Sequence, residues 1–295
     1  MTHKILIIGA GELGLSLIRS FTSHPSKPSV SVLLRPSSKT DLSSYPVNII
    51  HGDISGPISE VSPLLKGHDV VISATGFAGG PGSQIGLAKA ALEAGVKHYF
   101  PWQFGVDYDT IGRGSSQPLF DEQLEVRDLL RSQDKTKWTI VSTGLFTSFL
   151  FHPSFGVVNL DPDDRHATVN ALGGWSNGIT ITSAEDIGRV TSKIVLDNPE
   201  DIPQGVVFIA GDTITFEDVY KQVKRVGWKV DKKVTTVEEL EEKRKADPED
   251  LGPKYGLIWA RNVGVSWDIK DTWNAKKGVE TESLGEWVDK NLPKP

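Results

Sequence analysis

Cysteine is absent from this chain of 295 residues, and methionine occurs only once. Without cysteine the chain has no disulfide framework, no zinc–thiolate site and no cysteine nucleophile, which suits a reducing compartment. Basic residues are also in the minority, because 32 Lys and Arg stand against 38 Asp and Glu and leave a net charge of −6. Nucleic acid is therefore disfavoured as the main partner, since phosphate binding needs a basic surface.

Long apolar runs are missing as well. The run at residues 5–8 is too short for a signal peptide or a membrane span, and glycines follow it. The longest apolar segment, residues 145–158, is interrupted by Thr147, Ser148, His152, Pro153 and Gly156. We therefore expect a cytoplasmic protein that has no membrane partner. We also expect a monomer or a homodimer.

Short β-branched runs alternate with helical patterns through the first half of the chain. This alternation is typical of βαβ units, whose right-handed crossovers build a doubly wound parallel sheet. The sequence thus predicts an α/β Rossmann domain. Its predicted strands are at 5–8, 30–34, 47–50, 70–73, 97–100, 138–142 and 206–209, and its predicted helices are at 11–21, 84–94, 119–132 and 183–196.

The second half of the chain is less regular. Helices are predicted at 215–226, with Thr215 as the N-cap, and at 237–245, while Ser183 is expected to cap the helix at 183–196. Six of the eight tryptophans lie beyond residue 150. We predict a Rossmann domain over residues 1–155, onto which residues 183–210 pack back, and a smaller C-terminal substrate-binding domain over residues 156–295.

A glycine-rich segment follows the first predicted strand and opens the first predicted helix. It consists of Gly9, Ala10, Gly11, Glu12, Leu13 and Gly14. In this context the spacing G-x-G-x-x-G indicates dinucleotide binding, because Gly9 permits the tight turn, Gly11 the approach of a pyrophosphate and Gly14 close helix packing. The helix N-terminus adds free N–H groups for phosphate. A glycine-rich turn without a ligand is the alternative.

Basic and hydroxyl side chains follow the second predicted strand. An NAD-specific site places Asp or Glu about 20 residues past the glycines, whereas this chain has Arg35, Ser38 and Lys39. A guanidinium binds a 2′-phosphate through its fork of donors. The segment therefore predicts NADP(H), with an ordinary solvated basic loop as the alternative.

Further cofactor contacts are expected where later strands end. Asp53 follows the third strand, where such folds often flank the adenine, and Thr75 and Gly76 follow the fourth, at the edge where ligands bind. Trp102 and Phe104 follow the fifth strand. We expect these two aromatic side chains to line the nicotinamide or substrate space.

Several segments in order carry a family resemblance through nearly the whole chain, most weakly after residue 230. They are the glycine segment, Arg35, AGVKHYFPWQFG at 94–105, FDEQLEVR at 120–127, STGLF at 142–146 and SAEDIG at 183–188. Together they resemble the NmrA-like and isoflavone-reductase-like families of atypical short-chain dehydrogenases, particularly fungal members. The resemblance implies an NADPH site and a pocket between the Rossmann layer and a small C-terminal domain.

One position departs from the plant relatives, which reduce phenolic ethers and lignan-like or isoflavone substrates. Those enzymes carry a lysine on the helix after the Pro-x-x-Phe-Gly block, and Gln123 occupies that position here. Glutamine donates hydrogen bonds but is neither an acid nor a base. We therefore predict that Gln123 orients a substrate or a water, while solvent, Tyr108 or His152 supplies the proton. The short-chain-dehydrogenase pattern Tyr-x-x-x-Lys at 220–224 is interpreted as a solvated helix face.

Aromatic residues around position 150 suggest an apolar pocket. Phe146, Phe149 and Trp175 are the candidates for substrate contact, with ordinary core packing as the alternative. The chain has no Gly-x-Ser-x-Gly nucleophile elbow and no His-x-x-x-His spacing, and we expect no metal.

Two functions follow from these features. The first is an NADPH-dependent reductase of a small aromatic or apolar metabolite, such as a ketone, enone, imine or benzylic ether, with a role in secondary metabolism. The alternative is an NmrA-like redox regulator that binds the dinucleotide without turnover and signals to a protein partner. Turnover of NADPH with a substrate panel distinguishes the two.

Overall fold

The computed structural model describes residues 3–76 and 79–294. The chain divides into two compact units. The first comprises the described residues of Met1–Phe104, Asp121–Ser142 and Ile187–Val207, and the second those of Gly105–Phe120, Thr143–Asp186 and Phe208–Pro295. The chain therefore crosses between the units more often than a single boundary at residue 155 implies. The division into domains 1–155 and 156–295 stays a prediction, because compactness alone does not test independent folding.

The strands agree closely with the sequence pattern in the first half of the chain. In chain order the strands of the described residues are β1 (Lys4–Ile8), β2 (Ser29–Leu34), β3 (Asn48–His51), β4 (Val70–Ser73), β5 (His98–Phe100), β6 (Lys137–Ser142), β7 (Leu145–Phe146), β8 (Val158–Asp161), β9 (His166–Leu172), β10 (Gly178–Thr182), β11 (Gly205–Phe208), β12 (Asp212–Thr215) and β13 (Lys229–Thr235). The predicted strands correspond to β1–β6 and β11 within one residue at each end.

A seven-stranded sheet runs in the order β11-β6-β5-β4-β1-β2-β3. The neighbours from β6 through β3 all pair in parallel. Residues 5–8 of β1 are buried, which explains their continuous apolar run, because a central parallel strand is covered on both faces. The strand order reverses between β1 and β4, and ligands of such sheets bind outside the carboxyl ends of the strands at this switch point. The predicted doubly wound Rossmann fold is confirmed.

The helices of the described residues are α1 (Glu12–Thr22), α2 (Ile58–Leu65), α3 (Ser83–Ala94), α4 (Tyr108–Ile111), α5 (Leu119–Arg131), α6 (Thr147–Leu150), α7 (Ala184–Leu196), α8 (Phe216–Arg225), α9 (Val237–Ala246), α10 (Leu251–Ala260), α11 (Trp273–Lys276) and α12 (Leu284–Asn291). All six helices predicted from the pattern are present. The longest, α5 and α7, have 13 residues each. Within the described part of the chain, no helix has the length and apolarity needed to cross a membrane.

The predicted helix caps are present. The Thr215 hydroxyl accepts a hydrogen bond from the Asp218 N–H at 3.2 Å, and the Asp218 carboxylate accepts one from the Thr215 N–H at 3.0 Å. This reciprocal pair is a capping box that satisfies two N–H groups at the start of α8. The Ser183 hydroxyl likewise accepts from the Asp186 N–H at 3.2 Å and caps α7.

The sequence reading did not predict the helices α4, α6, α10, α11 and α12. It also missed helix α2 and two small sheets, for reasons that the structure shows. Helix α2 contains Pro63, which lacks the N–H for an intrahelical bond and normally breaks a helix. It forms because Val61 and Leu65 bury themselves in the hydrophobic core with the alanine-rich face of α3. In the second unit, two three-stranded sheets, β12-β10-β7 and β13-β9-β8, were not predicted. Most of β13 faces solvent, and β9 alternates buried with half-buried residues, so neither strand has the continuous apolar run that marks the main sheet.

Candidate cofactor site

Three glycines build the turn between β1 and α1, each under a different constraint. Gly9 has a φ of +93°, a conformation that residues with a side chain rarely adopt. A Cβ on Gly14 would lie 2.2 Å from the Gly9 carbonyl oxygen, so α1 approaches β1 at a distance that only glycine permits. Gly11 has an ordinary φ of −76°, and a Cβ there would meet no described atom within 4 Å. Gly9 and Gly14 therefore shape the turn, and Gly11 leaves open space beside it.

The N-terminus of α1 faces this turn without a side-chain cap. Gly11 is the N-cap residue and forms no side-chain hydrogen bond. The first N–H groups of a helix lack intrahelical partners and carry the positive end of the helix dipole, so they attract an anion. Glu12 is exposed in the first turn, whereas Leu13 and Gly14 are buried. These last three residues support the turn and do not line the cavity described next.

A cavity of about 550 Å³ opens at the carboxyl edge of the sheet, within the size range of small-molecule sites. Four segments line it: residues 8–11 at the glycine turn, 33–35 with 37, 38 and 40 after β2, 52–55 after β3, and 74, 75 and 79 after β4. The cavity therefore brings together many of the predicted cofactor residues, namely Gly9, Ala10, Gly11, Arg35, Ser38, Asp53 and Thr75.

The end of β2 presents one guanidinium and several hydroxyl groups to the cavity. Arg35 lies there with Ser37, Ser38 and Thr40. The Ser38 N–H donates to the Arg35 carbonyl at 2.9 Å, and the Ser38 hydroxyl donates to the Thr40 hydroxyl at 3.3 Å. This turn provides donors suited to a phosphate, because a guanidinium and neighbouring hydroxyls bind phosphate oxygens with directed hydrogen bonds. Lys39 is exposed and is not among the residues that line the cavity.

The segment after β3 contributes an acidic group to the same cavity. Asp53 accepts hydrogen bonds from the Ser55 hydroxyl at 2.6 Å and from the Ser55 N–H at 2.9 Å. These bonds, helped by the positive charge of Arg35, lower the pKa of Asp53 below its ordinary value. Asp53 is therefore an ionised acceptor at neutral pH. Thr40 and Ser55 were not singled out from the sequence, although their hydroxyl groups near Arg35 and Asp53 were a usable signal.

The segment after β4 is held by a buried glutamine from α3. The Gln84 amide nitrogen donates to the Gly76 carbonyl at 2.7 Å and to the Thr75 hydroxyl at 3.2 Å. The Thr75 hydroxyl also pairs with the Ser73 hydroxyl at 3.2 Å. Thr75 lines the cavity, while Gly76 does not. Gln84 thus fixes Thr75 and Gly76 at the end of β4. Its position on a predicted helix did not reveal this role.

Gln123 is fully buried on α5. Neither its side-chain nitrogen nor its side-chain oxygen has a hydrogen-bond partner among the described residues. Its backbone carbonyl accepts a bond of 2.8 Å from the buried Gln103 amide, and the Gln103 oxygen accepts one of 2.8 Å from the Arg127 guanidinium. A buried amide without partners is unfavourable. The arrangement therefore leaves a donor and an acceptor that no described residue satisfies.

The residues after β5 are buried or half-buried but are not among those that line the cavity. Phe104 is buried and Trp102 is half-buried. Tyr108 is buried at the start of α4, and its ring meets Phe120 edge-on with the centroids 4.9 Å apart. A Cβ on Gly105 would lie 2.9 Å from the Tyr108 hydroxyl, so that hydroxyl lies directly over the Gly105 backbone.

His152 lies on the surface of the second unit. Its Nδ1 and the Ser154 hydroxyl are 2.7 Å apart, and its ring stacks on Phe149 with the centroids 5.8 Å apart. Phe149 also packs on Phe155 at 5.1 Å, and Phe146 is half-buried immediately before α6. The rings of Phe149, His152 and Phe155 thus form a cluster of their own at α6.

Trp175 belongs to a different cluster in the second unit. The Lys232 ammonium lies 4.5 Å from the centre of the Trp175 ring and 4.2 Å from that of Tyr220, and it pairs with Glu217 at 2.5 Å. The Lys224 ammonium donates to the Tyr220 hydroxyl at 3.3 Å in an exposed contact. The Tyr-x-x-x-Lys pattern therefore lies on a surface helix. Among residues 3–76 and 79–294, no three His, Asp or Glu side chains are grouped to hold a metal ion.

Comparison with known protein families places the chain in a defined group. Residues 1–249 match the model of the NmrA-like family. A curated protein of Gibberella moniliformis, named an NmrA-like family domain-containing oxidoreductase, is 41% identical, and the match covers 100% of each chain. The likeness in sequence thus extends over the full length of both proteins.

Solved structures share the fold at much lower identity. One of the crystal structures of pinoresinol-lariciresinol and phenylcoumaran benzylic ether reductases superimposes with a TM-score of 0.80, covers 99% of this chain and 100% of the other, and is 20% identical. The protein named AtPrR2, solved with NADP+ and (+)-pinoresinol, gives a TM-score of 0.78 at 17% identity and covers 99% of each chain. At these identities the likeness establishes the fold.

Proposed function

The chain belongs to the NmrA-like family, and from that premise we propose that it is an NADPH-dependent oxidoreductase that reduces a small aromatic or apolar metabolite. The observation that carries the proposal is the cavity at the glycine turn, where Arg35 and three hydroxyl side chains follow β2. In an NAD-specific site an acidic side chain occupies the end of this strand. The guanidinium instead favours the extra phosphate of NADP(H).

The residues that line the cavity fit a dinucleotide phosphate. Gly11 lines the cavity and a Cβ there would meet no described atom within 4 Å, so the backbone is open to a pyrophosphate at the uncapped start of α1. Arg35, Ser38 and Thr40 would hold the 2′-phosphate. Asp53, as an ionised acceptor, would take a hydrogen bond from the amino group of adenine. When bound, the nicotinamide supplies a hydride.

The substrate class is proposed from the relatives. One structural neighbour comes from a set named pinoresinol-lariciresinol and phenylcoumaran benzylic ether reductases, and another, AtPrR2, holds NADP+ and (+)-pinoresinol. This chain offers half-buried aromatic rings at Phe146, Phe149 and Trp175, which suit an apolar or aromatic substrate. A ketone, an enone, an imine or a benzylic ether satisfies the requirement for a hydride acceptor.

We further propose that the proton does not come from Gln123. An amide keeps one protonation state across the accessible pH range, so the Gln123 side chain orients a substrate group or a buried water with its unpartnered donor and acceptor. Tyr108, His152 and solvent remain the proton sources of this proposal. Lys39, Gly76, Trp102 and Phe104 stay proposed cofactor neighbours, although they do not line the cavity.

A second function has one observation in its favour. Gln123 occupies the position of the relatives' lysine and is fully buried, which fits a regulator that binds the dinucleotide without turning it over. The two functions are separated by measuring NADPH oxidation against a panel of ketones, enones, imines and benzylic ethers. Turnover above the rate without protein supports the oxidoreductase. Tight NADPH binding with no turnover across the panel supports the regulator.

A further inference from the structure

One carboxylate joins α5 to the start of α3. A side-chain oxygen of Glu122 accepts hydrogen bonds from the N–H groups of Gln84 at 2.8 Å and Ile85 at 3.1 Å. The other oxygen accepts from the Gly82 N–H at 2.9 Å. Three backbone donors of one helix N-terminus thus converge on a single side chain that lies about 40 residues away in sequence.

These bonds hold the first turn of α3. The helix has 12 residues, its N-cap Gly82 is in the left-handed conformation, and no side-chain cap comes from that residue. Glu122 replaces the missing cap from outside the helix. These hydrogen bonds are stronger than bonds between neutral groups, because an ionised acceptor meets N–H groups at the positive end of the helix dipole.

The start of α3 in turn supports the wall of the cofactor cavity. Gln84 holds the Thr75 hydroxyl and the Gly76 carbonyl. A Cβ on Gly79 would lie 2.6 Å from the Ser83 Cβ, so the segment after β4 rests against the first residue of α3. Thr75 and Gly79 both line the cavity. A displacement of the first turn of α3 therefore displaces this wall.

The backbone of Glu122 leads directly to the buried amide. Glu122 precedes Gln123 in the chain, and Gln103 holds the Gln123 carbonyl from the segment after β5. The backbone around residues 122 and 123 is thus fixed from α3 on one side and from residue 103 on the other. Sequence reasoning offered no function for Glu122, since acidic residues near a helix start are usually solvated.

We infer that Glu122 is a positioning residue for the dinucleotide: its carboxylate fixes the start of α3 and, through Gln84 and Ser83, the cavity wall at Thr75 and Gly79. The inference rests on the proposed NADP(H) function. Glu122 touches neither Arg35 nor the hydroxyls after β2 in any hydrogen bond of the described residues. Its loss should therefore weaken NADPH and NADH equally and leave the preference between them unchanged.

The test is titration of both nucleotides into Glu122→Gln. This variant keeps the size of the side chain but places an amide N–H group against at least one backbone N–H and removes the charge. We expect the Kd of NADPH to rise roughly tenfold, equivalent to about 1.4 kcal/mol, and the Kd of NADH to rise by the same factor. Gln84→Met, which removes only the link from α3 to Thr75 and Gly76, should give the same pattern.

Two matched controls separate positioning from loss of stability. Glu125→Gln changes an exposed carboxylate on the same helix and should leave both Kd values unchanged. Ile140→Val trims a fully buried side chain of β6 and lowers the melting temperature without touching the α3 start, so it should also leave both Kd values unchanged. If Glu122→Gln does not fold, the test is made with Gln84→Met.

The outcomes are distinct. A parallel rise in both Kd values for Glu122→Gln, or for Gln84→Met where Glu122→Gln does not fold, supports the inference if both controls lack it. Wild-type affinities in a folded Glu122→Gln, even with a lowered melting temperature, overturn it, and so do wild-type affinities in Gln84→Met. A change confined to NADPH overturns it as well, because the effect then lies at the phosphate side chains. If the wild-type protein binds neither nucleotide, the proposed function itself is wrong.

Discussion

Two glycines of the same turn should differ in how their substitution affects the stability of the protein. In Gly11→Val, the new Cβ meets no described atom within 4 Å and the backbone φ of −76° is open to any residue. We therefore expect the fold to survive with a melting temperature within about 3 °C of wild type, equivalent to roughly 1 kcal/mol for a domain of this size. Dinucleotide binding should be lost, because the branched side chain fills space that the pyrophosphate needs.

Gly14→Ala makes the matched comparison. Its Cβ would lie 2.2 Å from the Gly9 carbonyl oxygen and 2.8 Å from the Gly9 carbonyl carbon, so α1 has to move away from β1. Inserting atoms into a packed contact typically costs about 1–3 kcal/mol, and each kcal/mol lowers the melting temperature by roughly 2–4 °C. A fall of roughly 2–12 °C is therefore expected, together with weaker binding because the turn is displaced.

Circular dichroism melts and quenching of intrinsic fluorescence by NADPH measure the two effects separately. The reasoning requires Gly11→Val to melt near wild type with a Kd raised by at least about a hundredfold, equivalent to roughly 2.7 kcal/mol. It requires Gly14→Ala to melt at a temperature roughly 2–12 °C below that of the wild type. Retained NADPH affinity in Gly11→Val would refute the assignment of the glycine turn as a pyrophosphate site, and a wild-type melt of Gly14→Ala would refute the close packing of α1 on β1.

Three further predictions concern buried polar groups. Gln123→Ala should slow turnover only modestly and keep the shape of the pH–rate profile, whereas loss of a general acid lowers the rate about a hundred- to ten-thousandfold. A Gln123→Ala variant that binds NADPH and substrate but is inactive would contradict the role of Gln123 in orientation alone. Burial lowers the pKa of His98 to about 4. Between pH 6.5 and 4 the unfolded chain therefore binds a proton at this residue that the folded chain does not, and the free energy of unfolding should fall by about 3 kcal/mol. Urea unfolding of His98→Gln should lack this part of the pH dependence, and a variant whose pH dependence equals that of the wild type would contradict the role given to His98. Gln103→Met removes the hydrogen bonds to the Gln123 carbonyl and to Arg127. Urea denaturation should show a free energy of unfolding that is lower by about 2–4 kcal/mol. A decrease below about 0.5 kcal/mol is inconsistent with those bonds.

The main sheet and the glycine turn were predictable because their signals are local. Residues 5–8 form a continuous apolar run, and Gly9, Gly11 and Gly14 follow at a spacing that has a steric meaning at each position. Arg35 was equally accessible, since its place at the end of a strand determines what it can contact. Each of these predictions depends on neighbours within a few residues in the sequence.

The residues that escaped the sequence reading depend on distant partners. Glu122 meets the start of α3 about 40 residues before it, and Gln103 meets Gln123 and Arg127 about 20 residues after it. No spacing pattern marks such pairs, because the sheet topology brings them together. Helix α2 was missed for the opposite reason: Pro63 is a local signal against a helix, and burial of Val61 and Leu65 overrides it.

Parallel titration of NADPH and NADH into the wild-type protein and Arg35→Ala tests the central claim most directly. A charge-assisted contact of a guanidinium with the 2′-phosphate is worth about 1.5–3 kcal/mol, so NADPH should bind the wild type roughly ten- to a hundredfold more tightly than NADH. Arg35→Ala should lose most of that preference while its Kd for NADH stays near the wild-type value. Equal affinities in the wild type, or a preference for NADPH that survives in Arg35→Ala, would contradict the account.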